Sequence, residues 1–230
     1  MQLTVESVSK NEVLRFLNVR PGTVISSDMD ALIDRCLAET LRIIRPVGIF
    51  HPYRFERTEA GLRLVDGGLT LGGGSIQRFL FEAADTVCMM AVTVGAGMDR
   101  AIRTKMISAP EEGVILDYCG AAAAEAAADA LEAEIRAAVE AQGKYLTGRY
   151  SPGYGDLPLE LQPEILNLLD TSRRIGLMIT GSVLMTPSKS VTAILGVTDR
   201  PPETEYNRCD DCRLRFNCEL RKAGRTCWKA

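Results

Sequence analysis

The chain has 230 residues, of which 46% are hydrophobic and 25% charged, and its formal net charge at pH 7 is -3. This composition is typical of a globular protein of one or two domains, and the slightly acidic balance gives no electrostatic footprint for nucleic acid. No apolar run approaches the roughly 20 residues that a membrane span requires, and the N-terminus lacks the layout of a signal peptide. We therefore expect a cytoplasmic protein with neither nucleic acid nor membrane as a partner.

Two residue counts limit the chemistry further. The single histidine, His51, excludes a Ser-His-Asp triad or a multi-histidine metal site built from this chain alone. There are seven cysteines, an odd number, and four of them lie between positions 209 and 227. That arrangement fits metal binding better than a secreted disulfide framework.

Periodicity and capping signals predict helices and strands in mixed order. The first half predicts a helix opened by the capping box Ser9–Glu12, a helix capped by Ser27, short strands over 47–71, a helix over 76–84 capped by Ser75, and a buried strand over 87–94. The second half predicts a long Ala-rich helix over 111–142 ending at Gly143, a helix over 159–169, and strands over 177–185 and 190–197.

The stretch from Gly148 to Pro158, Gly-Arg-Tyr-Ser-Pro-Gly-Tyr-Gly-Asp-Leu-Pro, has the most unusual backbone chemistry in the chain. Its proline stiffens the turn, and its glycines permit positive φ or a close approach of a ligand. Arg149 supplies a planar fork suited to a carboxylate or phosphate. Two interpretations follow from these residues: a structural turn with a surface arginine, or a rigid loop that binds a small zwitterion.

Arg149-x-Ser-Pro-Gly-Tyr154 resembles the R-x-A/S-P-G-Y motif of the activation domain of cobalamin-dependent methionine synthase. The stretch 124–129 is similar to that family's Ala-rich helix, in which a glutamate serves the ligand. Residues 177–182 and 187–191 resemble two further family segments in the same order. The resemblance implies an α+β fold in which a twisted, mainly antiparallel sheet is flanked by helices.

The resemblance also implies a function, namely reductive methylation of cob(II)alamin with S-adenosylmethionine as the methyl donor. It assigns Arg149 to the methionyl carboxylate, Glu125 to the ammonium group, backbone groups near Ser151 to adenine or ribose, and Tyr154 to the pocket wall facing the corrin. The residues around His51 depart from the D-x-H-x-x-G motif of cobalamin-binding domains. The cobalamin is therefore expected on a partner, either a methionine synthase or another corrinoid protein, with a flavodoxin or ferredoxin as electron donor.

Cys209, Cys212, Cys218 and Cys227 form a four-thiolate pattern beyond Pro201-Pro202. A C-x-x-C pair supplies two sulfurs from one turn, and the other two cysteines can complete a tetrahedral site. Structural zinc and a 4Fe-4S cluster both stay open. We predict a domain over 1–198 and a metal-binding tail over 199–230.

Two other functions compete with reactivation by S-adenosylmethionine. The chain could be an electron-transfer or docking activator of a different corrinoid methyltransferase that has lost ligand binding. It could also be a zinc-stabilised binding module. The presence of Arg149 and Tyr154 counts against an activator that has lost ligand binding, and metal analysis separates the zinc-stabilised module.

Overall fold

The structure, a computed structural model, describes residues 1–20, 22–181, 183–202, 208–212, 214–222 and 224. The helices are, in chain order, α1 (Lys10–Phe16), α2 (Ser27–Ile43), α3 (Gly74–Phe79), α4 (Ala96–Ser108), α5 (Pro110–Glu140), α6 (Gln162–Leu168), α7 (Thr171–Ile175), α8 (Arg208–Asp211) and α9 (Glu219–Lys222). The strands are β1 (Val47–Thr58), β2 (Gly61–Leu64), β3 (Thr70–Leu71), β4 (Thr86–Thr93), β5 (Tyr145–Leu146), β6 (Met178–Ile179), β7 (Met185–Thr186) and β8 (Ser190–Thr198).

The chain divides into two compact units, and each combines separate segments of the sequence. The first unit comprises Met1–Ile49, Ala91–Glu132 and Thr171–Val191; the second comprises Phe50–Met90, Ala133–Asp170 and Thr192–Ala230. The predicted division into a domain over 1–198 and a metal-binding tail over 199–230 stays a prediction. None of the helices in the described part of the chain combines the length and apolar character needed to cross a bilayer.

A six-stranded sheet runs in the order β3-β2-β1-β4-β8-β5. β1 and β2 form an antiparallel hairpin that places Phe55 opposite Leu64, and the pairs β2–β3 and β5–β8 are also antiparallel. Nearly every side chain of β4 and β8 is buried, as expected of strands that are covered on both faces. The predicted α+β class with a mainly antiparallel sheet and flanking helices is confirmed.

The first unit contains about the N-terminal three-quarters of α5. The buried residues of this part of the helix recur at helical spacing and are mostly small: Ile115, Leu116, Cys119, Ala122, Ala123, Ala124, Ala127, Ala128 and Leu131. Burial raises the pKa of the Cys119 thiol to about 12, so this cysteine packs as an apolar group. α5 ends at Glu140, and the amide of Gly143, whose φ is +72°, donates to the Glu140 carbonyl as predicted for a C-terminal glycine.

The capping predictions at the first two helices have different outcomes. Ser9 caps α1 by accepting from the amide of Glu12, which confirms the capping box start. The prediction that Ser27 caps α2 is wrong by one residue, because the Ser26 hydroxyl accepts from the Met29 amide at 3.2 Å and Ser27 is the first helical residue. Both serines carry a hydroxyl that can cap a helix. Ser26 is the cap because it lies three residues before Met29, whose amide has no partner within the helix.

The predicted strand over 177–185 is also wrong, because this segment folds into a small hairpin. β6 and β7 pair antiparallel, with Met178 opposite Thr186. The turn between them is closed by hydrogen bonds from the Thr180 amide to the Leu184 carbonyl and from the Val183 amide to the Thr180 carbonyl. Val183 has a φ of +63°, a conformation that a continuous strand does not allow.

The close packing of β8 gives a test of the second unit. A β-carbon at Gly196 would lie 2.9 Å from Leu80 Cδ2 and 3.0 Å from the β-carbon of Ala83. We expect Gly196→Ala to lower the free energy of unfolding by about 1–3 kcal/mol, because the added methyl group overpacks the core. Urea denaturation measures the change. Gly72→Ala is the control, since its β-carbon would meet one atom at 3.8 Å; equal stability of the two variants would contradict the prediction.

Candidate functional site

The loop over 148–158 is fixed to the second unit at Tyr150. This tyrosine exchanges two backbone hydrogen bonds with Ile194 of β8, at 2.9 and 2.8 Å. Its side chain is 1% exposed, and its ring centroid lies 4.9 Å from that of Phe79 on α3. The ring of Tyr154 packs edge-on against the ring of Tyr150, with the two centroids 5.9 Å apart. Tyr150 therefore anchors the start of the loop and orients the ring of Tyr154.

Inside the loop the chain makes a compact turn closed by its own backbone. The Tyr154 amide donates to the Ser151 carbonyl at 3.1 Å, the Leu157 amide donates to the Tyr154 carbonyl at 3.0 Å, and the Gly153 amide donates to the Leu157 carbonyl at 2.9 Å. Gly153 and Gly155 have φ values of +90° and +52°. Both values lie in the region that favours glycine, which explains the spacing G-Y-G.

Asp156 joins the end of the loop to the first turn of α3. Its carboxylate accepts from the Gly74 amide at 2.9 Å, from the Ser75 amide at 3.0 Å and from the Ser75 hydroxyl. The Asp156 amide in turn donates to Ser75 Oγ at 3.2 Å. The hydroxyl of Ser75, followed by these two amides, holds the pKa of the Asp156 carboxyl below its usual range.

The prediction of a helix over 76–84 capped by Ser75 is corrected by this contact. The helix runs from Gly74 to Phe79, its N-cap residue is Gly73, and that residue gives no side-chain cap. The amides at the start of α3 are satisfied by Asp156, which lies 81 residues from Ser75 in the chain. Ser75 lies inside the helix, where its hydroxyl donates to the loop.

The three site residues predicted on this loop lie together in the second unit. Arg149 and Ser151 are half-buried, and one terminal guanidinium nitrogen of Arg149 is buried. Tyr154 is 45% exposed although its neighbour Tyr150 is buried. The loop thus presents a rigid turn with a guanidinium at its start and an accessible aromatic ring near its end.

Glu125 lies on α5, in the first unit. It is half-buried, whereas Ala124, Ala127 and Ala128 around it are buried. Because its neighbours on α5 are alanines, the Glu125 side chain has only small side chains around it on its own helix. The joint action of Glu125 and Arg149 on one ligand stays a prediction.

The small-residue flank of α5 has a second use near Gly120. A β-carbon there would lie 3.1 Å from Met98 Cε and 3.2 Å from Lys189 Cγ, so the space is filled by these two side chains. Lys189 is 14% exposed and its ammonium group pairs with Asp117 at 2.9 Å. At Gly120 the small-residue flank therefore serves close packing.

The segment 187–191, one of those that carry the family resemblance, is held in the first unit by a second carboxylate. Asp99 accepts from the Ser188 hydroxyl at 2.6 Å and from the Ser188 amide at 2.9 Å. The Val94 amide donates to the Lys189 carbonyl at 3.1 Å. Together with the Lys189–Asp117 ion pair, these bonds hold the segment in the first unit.

Sequence reasoning missed the anchoring residues of the loop, namely Tyr150, Asp156 and Ser75. Tyr150 falls at the variable position of the R-x-S-P-G-Y pattern, so the motif gives it no weight. Asp156 follows Gly155 directly, a signal typical of a turn, but nothing local shows that its partner is the Gly-Gly-Gly-Ser stretch at 72–75.

The predicted metal ligands lie in the tail. Cys209, Cys212 and Cys218 are partly exposed. Among the residues that the structure describes, no group of three or more His, Cys, Asp or Glu side chains is placed to hold a metal ion. Cys227 lies outside the described residues, and the four-thiolate site stays a prediction.

Two comparisons with known proteins found matches to this chain. The family model described as "Vitamin B12 dependent methionine synthase, activation domain" matches residues 76–213. Among solved structures, the chain is similar to a crystal structure of the MetH reactivation domain bound to AdoHcy, with 18% sequence identity, a TM-score of 0.58, and coverage of 92% of this chain and 77% of that chain. At this identity the likeness shows a shared fold. The search of curated proteins gave no significant match.

The lowered pKa of Asp156 predicts a pH dependence of stability. A carboxyl whose pKa is lower in the folded state contributes stability that is present above its unfolded pKa, about 3.9, and is lost as the pH falls through the folded value. At pH 7 we expect Asp156→Asn to cost about 1 kcal/mol, because the amide loses the negative charge and one of the two oxygens that accept from residues 74 and 75. Urea denaturation at several pH values should show this gap narrowing in acid.

The control for this experiment is Asp66→Asn, in the exposed turn between β2 and β3. The prediction is contradicted if the difference in free energy of unfolding between the wild type and Asp156→Asn stays constant as the pH falls below the pKa of the carboxyl. The carboxylate charge would then make no contribution to stability.

Proposed function

Because this chain belongs to the activation-domain family of vitamin B12-dependent methionine synthase, we propose that it binds S-adenosylmethionine and supports the reductive methylation of cob(II)alamin held by a partner methionine synthase. The observation that carries the proposal is the anchored loop that bears Arg149, Ser151 and Tyr154, which lies within the matched residues. The similar MetH reactivation domain was crystallised with AdoHcy, which is the demethylated form of the same ligand.

The chemistry of the side chains fits the two ends of this ligand. The methionyl part of S-adenosylmethionine carries a carboxylate and an ammonium group, and its methyl group lies on a positively charged sulfur. Arg149 pairs with the carboxylate through its planar fork, and Glu125 pairs with the ammonium group. Backbone groups near Ser151 contact adenine or ribose, and the exposed ring of Tyr154 faces the corrin.

The reaction requires a correctly oriented methyl donor and one electron for the cobalt, and it requires no acid–base group. One electron reduces the cobalt, and the reduced cobalt then takes the methyl group from the sulfonium, which leaves S-adenosylhomocysteine as a neutral thioether. No proton moves at the reacting carbon. A rigid loop that places the donor can therefore supply the protein's contribution, which suits a chain with one histidine.

The cysteine tail is the part of the proposal that concerns the electron. We propose that Cys209, Cys212, Cys218 and Cys227 hold zinc or a 4Fe-4S cluster. A C-x-x-C pair and two further thiolates supply the four ligands that either group needs. A cluster would receive an electron from a flavodoxin or ferredoxin, whereas zinc would stabilise the tail alone.

Binding of S-adenosylmethionine is the first test of the proposal. Calorimetric titration of the purified chain should show binding, and Arg149→Ala should weaken it by about 2–3 kcal/mol because a charge-assisted bidentate pair is lost. Arg149→Lys should lose less, since it keeps the charge without the fork. Arg63→Ala is the matched control, because Arg63 is exposed on β2 and pairs with Glu56 at the surface.

Titrations without and with the corrinoid partner separate the proposed function from its rivals. If neither titration shows binding, the proposal is wrong and a docking activator or binding module replaces it. If binding is present, anaerobic incubation with methyl-labelled S-adenosylmethionine and the partner's cob(II)alamin should move the label to the cobalamin. Arg149→Ala should slow that transfer.

Metal analysis tests the tail. Protein purified without oxygen should contain iron and acid-labile sulfide, or zinc, in a fixed ratio to the chain, and Cys212→Ser should lose it. Cys36→Ala, which changes a buried thiol of α2, is the control and should keep the metal. If the wild-type protein contains neither metal, the proposed role of the tail is wrong. The proposed binding of S-adenosylmethionine is then still to be judged by the titrations.

A further inference from the structure

The loop that carries Arg149, Ser151 and Tyr154 ends at Asp156, a residue that the proposed roles leave unassigned. We propose that Asp156 and Ser75 are positioning residues for S-adenosylmethionine, which hold the loop in its binding shape before the ligand arrives. This inference rests on the proposed function and adds two residues to it.

The contact between Asp156 and Ser75 is reciprocal. The carboxylate of Asp156 accepts from the hydroxyl and the amide of Ser75, while the amide of Asp156 donates back to the same hydroxyl oxygen. The second carboxylate oxygen accepts from the Gly74 amide at 2.9 Å. Both the side chain and the backbone at position 156 are therefore fixed to α3, and a rotation of either would break at least one bond.

Two glycines make this contact possible. A β-carbon at Gly73 would lie 2.7 Å from the Asp156 carboxylate, and one at Gly155 would lie 2.5 Å from Ser75 Oγ and from the Tyr150 hydroxyl oxygen. Any larger residue at either position would push the loop away from α3. The glycines on the two sides of the contact thus have a shared role that the R-x-S-P-G-Y motif does not contain.

Asp156 acts on the ligand-contacting residues through a short path. One residue, Gly155, separates it from Tyr154, and the bond from the Leu157 amide to the Tyr154 carbonyl spans the same turn. At the other end, Tyr150 is fixed by its two bonds to Ile194. The five residues 151–155 therefore lie between two anchors, and the conformational entropy of ordering them is lost on folding instead of on binding.

Removing the Asp156 anchor should shift that cost to the binding step. We expect Asp156→Ala to raise the Kd for S-adenosylmethionine about tenfold, with a more unfavourable entropy of binding in calorimetry. Ser75→Ala should raise the Kd by a smaller factor, because the amides of residues 74 and 75 still reach the carboxylate. The double variant should be little weaker than Asp156→Ala, because the two sites share one contact. Asp156→Asn, which keeps one acceptor oxygen, should recover part of the affinity.

A general loss of stability would predict a different result, and Ser26→Ala is the control for it. That variant removes the cap of α2 and leaves the loop contacts intact, so it should lower the melting temperature without changing the Kd. Hydrogen exchange without ligand provides a second readout. The amides of Gly153 and Tyr154, which close the turn, should exchange faster in Asp156→Ala and at the wild-type rate in Ser26→Ala.

The possible failures can be told apart. If the wild-type chain binds S-adenosylmethionine and Asp156→Ala binds it with the same Kd, the positioning role is wrong and the proposed function stands. If the wild-type chain does not bind S-adenosylmethionine, the proposed function and this inference are both wrong.

Discussion

The contact on which the site depends is a carboxylate that serves as the missing cap of a distant helix. α3 begins with glycines and has no capping side chain of its own, so its first amides need an acceptor from elsewhere. Asp156 supplies that acceptor from a loop 81 residues away from Ser75. The helix start and the loop therefore define each other, and neither conformation is determined by its own sequence alone.

This mutual dependence explains several features of the site together. Positive φ at Gly155 turns the chain so that Asp156 reaches α3, and the absence of a side chain there leaves room for Ser75. Tyr150, whose ring packs on Phe79 of the same helix, completes a second link between loop and α3. The ring of Tyr154 can then be exposed and still be oriented, because its neighbour is buried.

Local signals in the sequence predicted what local physics decides. The capping box at Ser9 and the C-terminal Gly143 were placed correctly, and the buried strands over 87–94 and 190–197 match β4 and β8 closely, because each depends on residues within a few positions. The errors arose where a partner lies far along the chain or where one residue adopts an uncommon φ. The sequence favours Ser75 as a cap because nothing near Asp156 indicates which residue it contacts. The left-handed Val183 divides a segment whose apolar pattern resembles a strand. The motif locates Arg149, Ser151 and Tyr154 on one loop, whereas the residues that fix this loop lie at the variable position of the motif (Tyr150) or outside it (Asp156 and Ser75).

The electrostatics of the loop agree with a site that positions its ligand and transfers no proton. Hydrogen bonds from Ser75 and Gly74 lower the pKa of Asp156, so this carboxyl stays ionised throughout the physiological range and the contact with α3 does not vary with pH there. A group that must exchange protons would need a pKa near neutrality instead. In the proposed reaction, methyl transfer from a sulfonium needs a fixed direction of approach and no general base, and a carboxylate that stays ionised near neutral pH is consistent with that requirement. The proposed reaction therefore requires only fixed charges and fixed geometry from the side chains of this loop.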